Sequence, residues 1–179
     1  MSHNLHADPD SSGAPDPALA FALPTHRVIA LTGRDAVVFA QSQCMNDVEA
    51  ARVGHWQWNG WLTPKGRVIA LFALVRVAED TLWLVVADVD ATALAAQLQR
   101  FVLRRQLTLA VRDDLHVSGC FDAPMRAAGS SFDGDPATGI ELDVGGFGIR
   151  RTLRIAPDST VHDPQADMQW TASRAASQH

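Results

Sequence analysis

The feature that most constrains the fold is the turn Thr63-Pro64-Lys65-Gly66-Arg67, which lies between two apolar segments. Proline at the second position presets φ and glycine at the fourth relieves crowding, as a type I turn prefers. The residues from 56 to 62 and from 68 to 77 are therefore predicted to be the two strands of a hairpin. The second segment is apolar on both faces, which is typical of a central strand covered on two sides.

The segments around this hairpin predict one α+β layer. Strands are expected over 27–31, 82–87 and 107–111, and a helix over 34–43 with Thr32 as its cap. A second helix begins at Asp88 or Asp90 and presents Leu94, Leu98, Phe101 and Val102 at helical spacing. Its last turn is expected to hold Arg100, Arg104 and Arg105, where cations complement the helix dipole. The helices should cover one face of the sheet.

The chain divides by composition into four parts. Residues 1–20 are rich in Asp, Pro, Ser, Gly and Ala, and we expect a disordered tail there. Residues 21–114 are predicted to form the first α+β domain, and 115–170 a partial second α+β unit with a hairpin around Gly145-Gly146. Residues 171–179 carry no anchoring apolar residue and are expected to fray.

Charge and cysteine usage exclude several classes of function. The net charge of −5 argues against a broad nucleic-acid surface, so no direct nucleic-acid contact is expected. No apolar run approaches the roughly 20 residues that span a bilayer, so no membrane association is expected. Cys44 and Cys120 fit neither a metal site nor a disulfide framework, which favours a reducing compartment and a cytoplasmic protein.

A few residues are candidates for binding chemistry. Lys65 beside Gly66 would hold a carboxylate or phosphate, or would only solvate a hairpin tip. Asn46 and Asp47 would line a pocket, or would only cap the first helix and form a turn. Trp61 and Trp170 lie beside polar segments and would stack on a flat heterocycle, although packing is the commoner role.

No nucleophile elbow, zinc-protease helix, phosphate-binding loop or dinucleotide fingerprint is present. The residues alone therefore predict an α+β domain with an anion-binding rim and no catalytic residue.

Four segments, taken in order, resemble YgfZ proteins, which are folate-binding relatives of the glycine-cleavage T-protein, an aminomethyltransferase. They are Leu31-Thr32-Gly33-Arg34-Asp35-Ala36, Phe39-Ala40-Gln41-Ser42-Gln43, Asn46-Asp47-Val48 and Leu62-Thr63-Pro64-Lys65-Gly66-Arg67. Phe101-Val102-Leu103-Arg104 fits the same pattern. The resemblance implies an aminomethyltransferase-like folate-binding fold and tetrahydrofolate as the cofactor. It also implies a role in iron–sulfur cluster assembly or repair and in tRNA modification, with iron–sulfur proteins as partners.

The resemblance also implies site residues. Asn46, Asp47 and Lys65 would face the folate. Trp170, in the pair Gln169-Trp170, would contact it, and His26 would replace a second tryptophan that stacks in the family. These positions are the folate-binding residues that the resemblance predicts.

Two departures from the family pattern bear on activity. Ala70 and Leu71 occupy the place of the acid that aminomethyl transfer requires, and neither side chain can orient or protonate an amine. The chain ends at His179 before any Lys-Gly-Cys-Tyr-x-Gly-Gln-Glu motif, so we expect a shortened, non-catalytic form. The alternatives are an aminomethyltransferase-type one-carbon transfer enzyme and a non-catalytic interaction remnant.

Overall fold

The computed structural model describes residues 20–146 and 148–157, which form two five-stranded antiparallel sheets and two helices. The strands are β1 (Ala20–Ala22), β2 (Arg27–Thr32), β3 (His55–Leu62), β4 (Val68–Ala78), β5 (Thr81–Val86), β6 (Thr108–Val111), β7 (His116–Cys120), β8 (Asp133–Asp135), β9 (Gly139–Asp143) and β10 (Thr152–Ala156). The helices are α1 (Ala36–Gln43) and α2 (Ala91–Gln99). Trp170 and both termini lie outside the described residues.

One sheet has the strand order β3-β4-β5-β2-β6 and is called here the helix-covered sheet. Alternation along its strands divides its apolar residues between two cores, as the period of two requires. Ile29, Leu74 and Leu84 pack with both helices, while Val28, Val75 and Val85 pack against the other sheet. The prediction that helices cover one face of this sheet is confirmed.

The other sheet has the order β1-β7-β10-β9-β8 and is called here the outer sheet. Its inner face contributes Phe21, Val117, Ile140, Leu142 and Ile155 to the core between the sheets. Among the described residues from 115 to 157 every regular element is a strand. Strand β1 precedes β2 in the chain but pairs with β7, so the outer sheet takes one strand from before the predicted boundary at residue 114. The division into domains stays a prediction.

The hairpin predicted around the turn is present, with β3 and β4 paired from His55 with Arg76 to Leu62 with Val68. The predicted hairpin around Gly145-Gly146 is also present, since β9 and β10 pair and the Gly146 and Ile149 backbones bond each other at 3.0 Å. In each hairpin, turn residues lie between two strand-forming segments, which is the pattern from which hairpins are most readily predicted.

Both helices are shorter than predicted. Helix α1 begins after Asp35, and the predicted cap Thr32 is instead the last residue of β2. Helix α2 has Asp90 as its cap, whose Oδ1 accepts from Ala93 N at 2.9 Å, and it ends at Gln99. Arg104 adopts φ +57°, which breaks the helical path.

The expectation that Arg104 and Arg105 lie in the last turn of α2 is therefore wrong, and Arg100 is only the C-terminal cap residue. No described helix is both long and apolar enough to cross a bilayer.

Candidate functional site

The Thr63–Arg67 turn closes the hairpin through three hydrogen bonds. Gly66 N donates to Thr63 O at 2.8 Å, Thr63 N donates to Arg67 O at 2.8 Å, and Arg67 N donates to Thr63 Oγ1 at 3.0 Å. Gly66 has φ +76°, which glycine adopts without strain. The turn therefore has the type I geometry that the sequence predicted, and its backbone conformation does not depend on the side chain of Lys65.

Lys65 is exposed at the tip of this turn and is the only lysine in the chain. Neither Lys65 nor Arg67 lies within 4.0 Å of a carboxylate of the described residues. A free ammonium and a free guanidinium two residues apart can both reach an incoming anion. The tip is thus chemically suited to a carboxylate or phosphate.

The Asn46–Asp47 corner follows α1 and runs along the edge of β3. Asn46 Nδ2 donates to Trp58 O at 2.8 Å, and Asp47 Oδ1 accepts from Ala50 N at 3.2 Å. Gln57 Nε2 also donates to the Asp47 backbone oxygen at 3.1 Å. These side chains fix the turn to the strand, as their structural interpretation predicted, and both residues are exposed.

Asn59 anchors this corner and was not identified from the sequence. It is 0% exposed, and its Oδ1 accepts from Asn46 N at 3.1 Å and from Gly60 N at 2.9 Å. Its Nδ2 is buried and has no partner among the described residues. The available signal was a polar residue between Trp58 and Trp61, because a buried amide needs partners to offset its desolvation.

An open apolar strip lies on the face of the helix-covered sheet that looks toward the outer sheet. It consists of the exposed side chains of Trp58 and Leu71, and Leu71 pairs with the buried Gly60. Trp58 is 50% exposed although its ring meets Trp56 edge-on with centroids 5.5 Å apart. Trp58 is therefore only half-buried, which leaves part of the side chain open to a stacking ligand.

The strip and the turn share one end of the sheet but are not adjacent. Trp58 precedes Thr63 by five residues, so the strand rise puts the two about 17 Å apart. Asn46 lies beside Trp58. The structure therefore groups Asn46 and Asp47 with Trp58 and Asn59. Lys65 lies apart from them, at the tip of the same hairpin.

His26 lies at this end of the sheet as well, but on a different strand. It precedes Arg27, which shares a row across the sheet with Val86, Phe72 and Asn59. Three strand spacings therefore separate His26 from β3, a distance of roughly 14 Å. The residue is only 9% exposed, and Thr25 Oγ1 lies 3.5 Å from the imidazole Nδ1. Little of its ring is open to a ligand.

The two positions that replace the expected acid face opposite sides of β4. Ala70 is buried in the helix-side core, while Leu71 is 45% exposed on the open strip. Neither has a group that could move a proton at the pH of a cell. The strip therefore has no acid or base of its own at these positions.

Neither cysteine is poised for reaction. Burial raises the pKa of the Cys44 thiol to about 12, so the reactive thiolate is scarce near neutral pH. Burial also raises the pKa of the Cys120 thiol. Within the described part of the chain no cluster of three or more His, Cys, Asp or Glu side chains could hold a metal ion.

A separate cleft of about 220 Å³ lies at the opposite end of β3. Its lining includes Arg52, His55, Gln57 and Ser130. It contains none of the predicted folate contacts.

Comparisons with known proteins support the fold. No protein-family model and no curated protein matches the chain. Among solved structures, the chain is similar to the aminomethyltransferase T of the glycine cleavage system from Bartonella henselae, with a TM-score of 0.68 at 15% sequence identity. The match covers 77% of this chain and 41% of that chain, so this chain spans less than half the length of that relative. The described residues thus have the fold of part of a T-protein.

Proposed function

We propose that this protein is a folate-binding accessory protein of the YgfZ type, which binds tetrahydrofolate and does not transfer its one-carbon group. The observation that carries the proposal is the fold shared with an aminomethyltransferase T. The Fe–S assembly or repair role, the link to tRNA modification and the iron–sulfur partners follow from the sequence resemblance alone. Asn46, Asp47, Lys65, His26 and Trp170 are the contacts that the resemblance proposes.

The described residues fit tetrahydrofolate in part. The cofactor joins a flat pterin to a glutamate through an elongated linker, so it needs a stacking surface at one end and a cation at the other. Trp58 is half-exposed, and neither Lys65 nor Arg67 forms an ion pair with a described carboxylate, so the hairpin offers a stacking surface and two cations. The separation of about 17 Å along the hairpin suits an elongated ligand rather than a compact one.

The role of each group follows from its chemistry. Bound folate supplies the one-carbon carrier. Lys65 would hold a glutamate carboxylate, and Trp58 together with Leu71 would cover an apolar ring face. Because Ala70 and Leu71 carry no ionisable group, these positions would neither orient nor protonate an amine. Binding without transfer is the expected outcome.

The single lysine makes the test specific. Reductive methylation with carbon-13 formaldehyde labels Lys65 and the α-amine alone, because the chain has no other lysine. Titration with tetrahydrofolate should shift the Lys65 methyl resonance along a saturable curve and change Trp fluorescence with the same midpoint. The absence of a saturable change in either signal at millimolar tetrahydrofolate would contradict the proposal.

Single-residue variants separate the contribution of the turn to folate affinity from that of the strip. Lys65→Ala should weaken binding by about 1 kcal/mol, roughly fivefold in Kd, through loss of one charge-assisted contact. Trp58→Ala should weaken binding through loss of the ring face. Arg52→Ala removes an exposed cation at the other end of the hairpin and should leave Kd unchanged. Equal effects of Lys65→Ala and Arg52→Ala would show that only net charge matters.

The one-carbon transferase alternative predicts turnover. Incubation with tetrahydrofolate and an aminomethyl donor should give no methylene transfer above the uncatalysed rate. Turnover would instead favour the hypothesis that the protein is a one-carbon transferase.

A further inference from the structure

The loop between α2 and β6, residues 100–106, concentrates positive charge in an acidic chain. It is called here the arginine loop. The chain carries 20 acidic and 15 basic residues, yet no acidic residue occurs from 91 to 112. Arg100, Arg104 and Arg105 lie in this loop, and none is within 4.0 Å of a carboxylate of the described residues. Their charge is available to an anionic partner.

Apolar side chains project between these arginines. Leu103 is 74% exposed, the highest value among the large hydrophobic residues that the structure describes, and Phe101 is 49% exposed. A side chain that lines a groove is partly covered by the opposite wall, so a leucine this open lies on a projecting surface. Phe101, which its helical spacing assigned to the second helix, lies beyond the end of α2 at Gln99.

Packing at the base of the loop holds this surface in place. The Phe101 ring meets the Trp61 ring edge-on with centroids 5.9 Å apart, and the Arg105 guanidinium lies 5.9 Å from the centre of the Phe39 ring. Arg104, at φ +57°, is the one non-glycine residue of the described chain with a left-handed backbone. Such a conformation persists only where surrounding contacts hold it, in agreement with the packing of Phe101 and Arg105 at the base of the loop.

We propose that the arginine loop docks peripherally on an anionic phospholipid surface. Interfacial protein segments combine cations that meet the lipid headgroups with Phe or Leu side chains that enter the acyl boundary. Arg100 and Arg104 supply the cations, and Phe101 with Leu103 supplies the apolar groups. The absence of a spanning segment, on which the sequence expectation of no membrane contact rested, does not bear on a peripheral contact.

Two other anionic partners fit the loop less well. A nucleic acid would use the arginines and an open aromatic face, but it would leave Leu103 without a role. An acidic protein would need an apolar pocket for Leu103, whereas a bilayer accepts a projecting apolar group anywhere on its surface. The loop contacts therefore favour lipid, and the proposal does not depend on folate binding.

Vesicle cosedimentation of the full chain tests the proposal. Neutral phosphatidylcholine vesicles are compared with vesicles in which about a third of the lipid is phosphatidylserine. Since each arginine near an anionic surface contributes about fivefold, the anionic vesicles should reach half-saturation at a lipid concentration at least about tenfold lower. Raising the salt concentration should remove most of this difference. Equal binding to both vesicle types, or none to either, overturns the proposal.

A matched pair of variants locates the contact. Leu103→Ser with Arg104→Gln removes one exposed apolar group and one free cation from the loop, and should raise the half-saturating lipid concentration about tenfold. Arg52→Gln with Val53→Ser makes the same change elsewhere, since Arg52 and Val53 are both exposed, and should have no effect. Circular dichroism confirms that both variants fold. Equal losses in the two variants, or stronger binding to single-stranded RNA than to anionic vesicles, would overturn the assignment.

Discussion

The Asn46–Asp47 corner and the Thr63–Arg67 turn looked alike in the sequence, and the structure uses them in opposite ways. At the corner, the Asn46 amide and one Asp47 carboxylate oxygen are bonded to backbone groups that tie the segment to β3 and close its turn. At the turn, backbone groups and Thr63 Oγ1 complete the hydrogen bonds, and the Lys65 ammonium contacts no described carboxylate.

The difference teaches where a binding role can reside. Polar groups that satisfy backbone donors or acceptors maintain the fold, and changing them costs stability before it changes binding. A cation held on a turn that closes without it can bind an anion at little structural cost. The corner should therefore respond to mutation in stability, and the tip in ligand affinity.

The largest expected effect is at the anchor of the corner. Asn59→Ala removes the acceptor of two backbone N–H groups and opens a small cavity, so it should lower the free energy of unfolding by about 3 kcal/mol. Urea denaturation followed by Trp fluorescence measures it. Thr63→Ala, on the turn, is the contrast and should cost about 1 kcal/mol. Equal losses of unfolding free energy in the two variants would contradict the difference proposed between the corner and the turn.

The next effect concerns the Cys44 thiol, which begins the corner segment. Burial raises its pKa from an ordinary value of 9.0 to about 12 in the folded protein, so the stability contributed by the neutral thiol is fully present below pH 9.0. This stability is lost as the pH rises toward 12, and should fall by on the order of 2 kcal/mol near pH 11. Few other groups titrate there, because the chain has no tyrosine and one lysine.

Measuring the free energy of unfolding at a series of pH values tests this slope of stability against pH. Cys44→Ala should flatten most of it, and Cys120→Ala should flatten less. A slope unchanged by Cys44→Ala would contradict the assignment of the stabilisation to that thiol.

A smaller effect is expected at Asn46 itself. Asn46→Ala removes the hydrogen bond from Nδ2 to Trp58 O, and since the group is exposed the loss should be about 1 kcal/mol. Asn46→Asp keeps the shape but places a carboxylate oxygen against a carbonyl, so it should not restore the lost stability. Thermal unfolding of both variants measures this. Full stability in Asn46→Asp would show that the side chain does not donate.

The smallest effect on stability is expected at the tip. Lys65→Ala should change the free energy of unfolding by less than about 0.5 kcal/mol, because no described contact depends on the ammonium. Gly66→Ala is the matched change that should matter there, at roughly 1 kcal/mol, because alanine resists φ +76° although the space around it is open. A larger loss in Lys65→Ala than in Gly66→Ala would show that the lysine is structural.

The hairpin was predictable because its signals are local. Pro64 and Gly66 set the turn, and the apolar strands on either side follow from their composition. The α2 boundary was not predictable, since Leu94, Leu98 and Phe101 continue a helical spacing that the backbone abandons after Gln99. The half-exposure of Trp58 was not predictable either, because it depends on how far the outer sheet extends over β3.

The sequence by itself determined the two hairpins, the type I turn with its exposed lysine and the absence of an acid at Ala70 and Leu71. Each depends on residues that are close in the chain, where backbone preference and side-chain chemistry act directly. Only the tertiary structure decided that Asn46 and Asp47 hold a turn while Lys65 stays free, and that Asn59 anchors the corner. Those outcomes depend on which distant groups meet, because a buried donor takes whichever acceptor the packed chain brings to it.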